Sequence, residues 1–95
     1  MFLPLSDYRD LDEVIAEANN TDYGLAAYVV TRDLPTAVRL WEGLEYGIIG
    51  INDFTPATAQ CPFGGMKESG FGREGSHEGI EAYLETKYVS ISLDI

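Results

Sequence analysis

The residues best able to do chemistry fall in one stretch, Phe63 to Gly75, "FGGMKESGFGREG", which holds five of the chain's ten glycines. Within it, Gly70-Phe71-Gly72-Arg73-Glu74-Gly75 fits G-x-G-x-x-G, the pattern of a loop that cradles a dinucleotide pyrophosphate. That chemistry needs a strand running into the first glycine and a helix opening at the last. Lys67-Glu68-Ser69 precedes Gly70 instead, and the acidic residue expected about 20 positions on would be Asp94, at the far end of the chain. The match is read as coincidental. A phosphate loop ending in Gly-Lys-Ser/Thr fails as well, because Lys67 is followed by Glu68. Lys67 and Arg73 could hold an anion, but Glu68 and Glu74 beside them oppose it. The glycines are expected instead to serve tight turns and positive φ angles in a closely packed loop.

Cys61 is the only thiol and so the only candidate cysteine nucleophile. A reactive thiolate needs a base or cation beside it. The only histidine, His77, lies sixteen residues on and is expected to face solvent near a helix start. The residues alone do not place His77 relative to Cys61, so the part Cys61 plays is open at this point.

These residues must be positioned by the elements around them. Residues 1–8, "MFLPLSDY", read as a short strand, with Pro4 placing it at an edge or an end. Asp10 and Glu13 have capping-box spacing, and Leu11, Val14, Ile15 and Ala18 follow on one helical face. Leu25 to Thr31 is β-branched and apolar almost throughout, which predicts a buried strand. Asp33 and Pro35 start a second helix whose apolar face is Ala37, Leu40, Trp41 and Leu44. Ile48 to Asn52 is a third strand. Residues 53–76 show no periodicity and read as a long functional loop. A short helix over Ser76 to Leu84 and a terminal strand over Lys87 to Leu93 complete the chain. The alternation of strand and helix is that of an α/β sheet.

The totals exclude several classes. Sixteen acidic against six scattered basic residues give a net charge of -10, which repels nucleic acid and anionic membrane. No apolar run approaches the roughly 18 residues needed to cross a bilayer. No signal peptide is visible, and a single cysteine fits a reducing compartment, so the cytoplasm is expected. A core built from 95 residues is marginal without association or further chain.

The segments "NNTDYGLAAYVVTRDL", "YGIIGIND" and "CPFGGMKESGFGREGSHEGIEAYLETKYV" resemble the C-terminal end of the NAD(P)-dependent aldehyde dehydrogenase family, and within it the succinate-semialdehyde dehydrogenase branch. The resemblance runs from about Leu3 to Ile91. It implies an α/β fragment of that family's catalytic domain over residues 1–84 and a terminal oligomerisation strand over residues 85–95. It implies that the family's dinucleotide-binding domain, nucleophilic cysteine, general-base glutamate and oxyanion-hole asparagine all lie in upstream sequence. This chain alone is then expected to bind no cofactor and to be inactive, with NAD or NADP serving the complete enzyme. Phe63 matches an aromatic residue of the substrate entry tunnel. Glu74 matches a glutamate suggested to relay protons from the general base. Ala57 falls where the succinate-semialdehyde branch carries a serine that contacts the substrate's distal carboxylate. Alanine cannot donate that bond, which leaves Thr58 beside it as the possible substitute. Cys61, before the Pro-Phe-Gly-Gly turn, is expected to line the substrate, and Asn52 to anchor its loop through its amide. The expected partners are a second copy, through the C-terminal strand, or a complementary aldehyde dehydrogenase chain. The alternative is a non-enzymatic homo-oligomeric assembly module.

Overall fold

The computed structural model describes residues 1–94. Helix α1 spans Leu11–Asn19 and helix α2 spans Leu34–Gly43. Strands β1 (Tyr23–Gly24), β2 (Ala26–Val29), β3 (Ile48–Ile51) and β4 (Met66–Lys67) form two small sheets, and a four-residue helix, α3, covers Glu78–Glu81. β2 and β3 pair in parallel, Ala26 opposite Ile48 and Val29 opposite Ile51, with α2 as the crossover. β1 and β4 pair antiparallel, Tyr23 opposite Lys67.

Local chemistry explains the helix starts. Asp10 caps α1 by accepting the Glu13 amide at 2.8 Å. The Glu13 carboxylate reaches back to the Arg9 amide at 2.7 Å, one residue before the cap. Asp33 caps α2 by accepting the Thr36 amide at 2.9 Å, with Pro35 in the first turn. The Thr36 hydroxyl and then the Thr36 amide hold the Asp33 carboxyl below its ordinary value of 3.8. A depressed folded-state value means the cap contributes fully above the unfolded value and fades as pH falls through the lower, folded one. Far-ultraviolet circular dichroism of the wild-type chain is therefore expected to lose helix signal on acidification below about pH 4. The part due to this cap is the part missing from Asp33→Asn, which caps without titrating. Identical acid profiles for the two chains would contradict it.

The helices pack on one face of the β2–β3 pair. Val29, Ala37, Leu40 and Leu44 are the buried hydrophobics, and Leu11, Val14, Ile15, Ala18, Ile49 and Ile51 close around them. α1 and α2 are clipped at their C-terminal ends. The Asn19 amide donates to Gly43 O at 2.8 Å and accepts from the Glu45 amide at 2.8 Å. The Tyr46 hydroxyl reaches Ala18 O at 2.6 Å.

Several elements differ from their sequence reading. β2 is shorter than the predicted 25–31 run, and only Val29 in it is buried; Tyr28 and Val30 stay exposed. A parallel pair needs cover on both faces, and the helices supply one. Trp41 is 44% exposed, at the rim of the α2 face rather than in the core. Residues 1–8 and 87–93 are exposed and unpaired, because a strand needs a partner edge and neither finds one among the described residues. The expected segment 85–95 ends on Ile95, which lies outside the described residues. The loop 53–76 is not without structure, since it carries β4 and a further bridge. The last helix is reduced to α3, and Ile80, Tyr83 and Leu84 point their apolar surface outward.

The chain is consequently open. It exposes 8174 Å², whereas a compact folded chain of 10.5 kDa is expected to expose about 5,400 Å². Its radius of gyration is 18.9 Å, against about 12 Å for a compact domain of this length.

Candidate functional site

The glycine-rich segment doubles back on the loop before it. Phe63 and Glu74 exchange both backbone hydrogen bonds, each at 2.7 Å, as an isolated antiparallel bridge. The Ser76 amide donates to Ala59 O at 2.9 Å, and the Cys61 amide closes a turn on Thr58 O at 3.1 Å. Gly75 sits at φ 69°, and a Cβ there would lie 2.8 Å from Cys61 O. A side chain at position 75 would thus both strain the backbone and push the two arms apart.

The result is an open groove of about 400 Å³ lined by Ala57, Thr58, Cys61, Phe63 and Glu74, with Ala59 and Gly75. All five residues singled out from the sequence share this one surface. The Phe63 ring and the alanine methyls form an apolar wall. The Thr58 hydroxyl is engaged by Gln60 Oε1. Cys61 is exposed. The His77 side chain is 78% exposed, and its Nε2 lies 3.2 Å from Glu78 Oε1. The groove can therefore hold an apolar chain, but within the described residues it contains no thiol–base pair. No metal-holding group of three or more His, Cys, Asp or Glu occurs among the described residues either.

The G-x-G-x-x-G match is not a strand-to-helix turn. The chain enters Gly70 from the turn Glu68–Ser69 after the two-residue β4, and it leaves Gly75 through another turn, before α3. Lys67 and Arg73 both bind main-chain carbonyls. Arg73 Nη1 donates to Gly65 O at 2.9 Å and to Gly72 O at 2.7 Å. Lys67 Nζ donates to Asn19 O at 2.9 Å and Thr21 O at 3.2 Å, and pairs with Glu45 at 2.8 Å. The reach of these two cations to main-chain carbonyls had no sequence signal beyond their place among glycines. Asn52 does anchor through its amide: it accepts from the Thr31 amide at 3.0 Å and donates to Thr31 O at 2.8 Å, tying the ends of β2 and β3.

The aldehyde dehydrogenase family profile matches residues 2–89, and this chain belongs to that family. It is 54% identical over 90 residues to a succinate-semialdehyde dehydrogenase [NADP(+)] of Escherichia coli, covering 95% of this chain and 19% of that protein. It is 51% identical over 90 residues to a glutarate-semialdehyde dehydrogenase of Pseudomonas putida, again covering 95% of this chain and 19% of the relative. The crystal structure of an E. coli NADP-dependent enzyme superposes with a TM-score of 0.85 at 55% identity, over 90% of this chain and 18% of that one. The chain thus spans about a fifth of the length of the curated relatives it matches. The fold is that of a fragment of an aldehyde dehydrogenase, with mixed helix and strand. No helix among the described residues is long and apolar enough to cross a membrane.

Proposed function

We propose that this chain forms the aldehyde-side wall of an aldehyde dehydrogenase, acting together with the further family sequence that carries the nucleophile, the base and the cofactor domain. The complete enzyme oxidises an aldehyde to its carboxylic acid while NAD or NADP accepts the hydride. Succinate semialdehyde is the first substrate to test, because relatives named for short semialdehydes share about half of this chain's residues. The observation that carries this reading is the groove itself: Phe63, Ala57, Thr58, Cys61 and Glu74 converge on one surface within a family match that runs nearly end to end. Phe63 and the alanines pack the carbon chain and exclude water. Thr58 is the hydroxyl nearest the position expected to meet a distal polar group. Glu74 stands at the rim, where a carboxylate could pass a proton outward.

The cofactor domain is assigned to the further family sequence, as the resemblance implies. The acidic surface and the lone Cys61 fit a cytoplasmic protein without nucleic-acid or membrane partners.

The decisive test is a chimera in which this chain replaces the matching segment of the E. coli relative, assayed with succinate semialdehyde and NADP. Turnover by the chimera together with none by the isolated 95-residue chain is the expected result. An inactive but folded chimera, or turnover by the isolated chain, would overturn it.

One observation favours a second reading, self-association. Residues 88–93 form an uncharged, β-prone segment whose large side chains are exposed, from 64% at Val89 to 89% at Tyr88. An edge of this kind recruits a strand from a second copy. Light scattering at several concentrations separates the readings, since a concentration-stable dimer or tetramer supports an assembly role.

A further inference from the structure

The glycine-rich segment is held by a side chain at its own entrance. Lys67 has a left-handed backbone, φ 55°, which a non-glycine residue adopts at some cost and keeps only where its surroundings enforce it. Its ammonium meets three acceptors: Asn19 O, Thr21 O and the Glu45 carboxylate. An ammonium has three protons, so the site satisfies all of them. Only 29% of the side chain remains exposed. Asn19 O is the last carbonyl of α1, where the helix carries partial negative charge and no basic residue of its own in the last turn, and Thr21 O lies two residues beyond it. The third comes from the turn after α2, which Asn19 already clips to α1. Lys67 therefore joins three elements that the chain brings together from positions up to 48 residues apart.

The contacts beyond Lys67 carry this hold into the groove. The Glu68 amide donates to Asp22 O at 2.9 Å, and the Ser69 hydroxyl accepts the Gly24 amide at 2.8 Å. Arg73 then closes the segment on Gly65 O, directly before Glu74 and its bridge to Phe63. The Lys67 ammonium thus ties the segment to the helical layer, beside the backbone pairing of β4 with β1 and the Glu68 and Ser69 contacts.

We infer that Lys67 is a positioning residue: it fixes the Phe63–Glu74 wall against the helices and so sets the fit of the aldehyde chain. This rests on the reading of the groove as the substrate wall. The test uses the same chimera, with steady-state kinetics in succinate semialdehyde. Lys67→Met is expected to raise KM about tenfold with little change in kcat per folded enzyme, because a displaced wall loses contacts to the carbon chain that are made equally in the ground and transition states. Lys67→Arg, which keeps the charge and several donors, is expected to restore most of the loss. Glu45→Gln keeps both carbonyl contacts and is expected to raise KM by about twofold to threefold; it also serves if Lys67→Met does not fold. An unchanged KM in Lys67→Met, or in Glu45→Gln where Lys67→Met does not fold, overturns the proposal, as does a loss that follows only the folded fraction. If the parent chimera is inactive, the substrate-wall reading fails by itself. Hydrogen exchange on the 95-residue chain then decides Lys67 without any assay. Faster exchange at the Gly24, Phe63 and Glu74 amides in Lys67→Met supports it, and unchanged exchange there overturns it.

Discussion

Gly47→Ala is expected to pry the glycine-rich segment off the sheet and to cost about 3 kcal/mol, the upper end of the range for overpacking a tight site. Gly47 lies between α2 and β3, and its amide donates to Gly24 O at 3.0 Å. A Cβ there would sit 1.9 Å from Gly64 O, 2.8 Å from Gly64 C and 3.0 Å from Gly65 Cα. Every one of these atoms is backbone, so no rotamer change can relieve the clash. The strand end or the Pro-Phe-Gly-Gly turn must move, and Phe63 moves with it. Urea unfolding of the chimera should show the lower midpoint, and its aldehyde turnover should fall with it. Gly43→Ala is the control: its Cβ would meet only the side-chain atoms of Ile15, the nearest at 3.0 Å, and alanine is the better helix former. That variant is expected to stay within about 0.5 kcal/mol of the parent. Equal effects of the two substitutions would show that close backbone approach is not what position 47 requires.

The contrast between these glycines marks what the sequence could and could not reveal. Helix starts were legible because their cause is local: Asp10 with Glu13 and Asp33 with Pro35 act within one turn, and both caps are formed as read. Ile48 to Ile51 was legible from its apolar, β-branched run. Ala57, Thr58, Cys61, Phe63 and Glu74 were named through the family resemblance, and all five line one groove with Ala59 and Gly75. The bridge that gathers them, Phe63 with Glu74, joins positions that no periodicity links. The Lys67 contacts were likewise invisible, since three acceptors from distant positions leave no spacing to detect. The two terminal segments differ from both cases. Their alternation and β-propensity are present, but propensity describes a surface that fits a sheet, not the sheet itself. With no partner edge among the described residues, residues 1–8 and 87–93 remain unpaired and exposed.

Leu40→Ala is expected to remove about 2–4 kcal/mol, which the isolated chain can hardly spare. Leu40 is one of four buried hydrophobics, packed with Val29 and Leu44 where α2 crosses the β2–β3 pair. Folded domains of this size hold a net stability of only about 5–15 kcal/mol, and those bury far more of their surface than this chain does. Loss of a cooperative urea transition is therefore the expected result for the isolated variant. In the chimera the outer face of β2, where Tyr28 and Val30 are exposed, is expected to gain cover from the rest of the enzyme. The same substitution should then lower the midpoint without abolishing the transition. Leu93→Ala, at a side chain 87% exposed, should change the isolated chain by less than about 0.5 kcal/mol. Its cost should rise only where a partner strand covers that segment. A Leu40→Ala chain that unfolds as cooperatively alone as in the chimera would mean that the four-residue core suffices. The open faces would then bear on assembly rather than on folding.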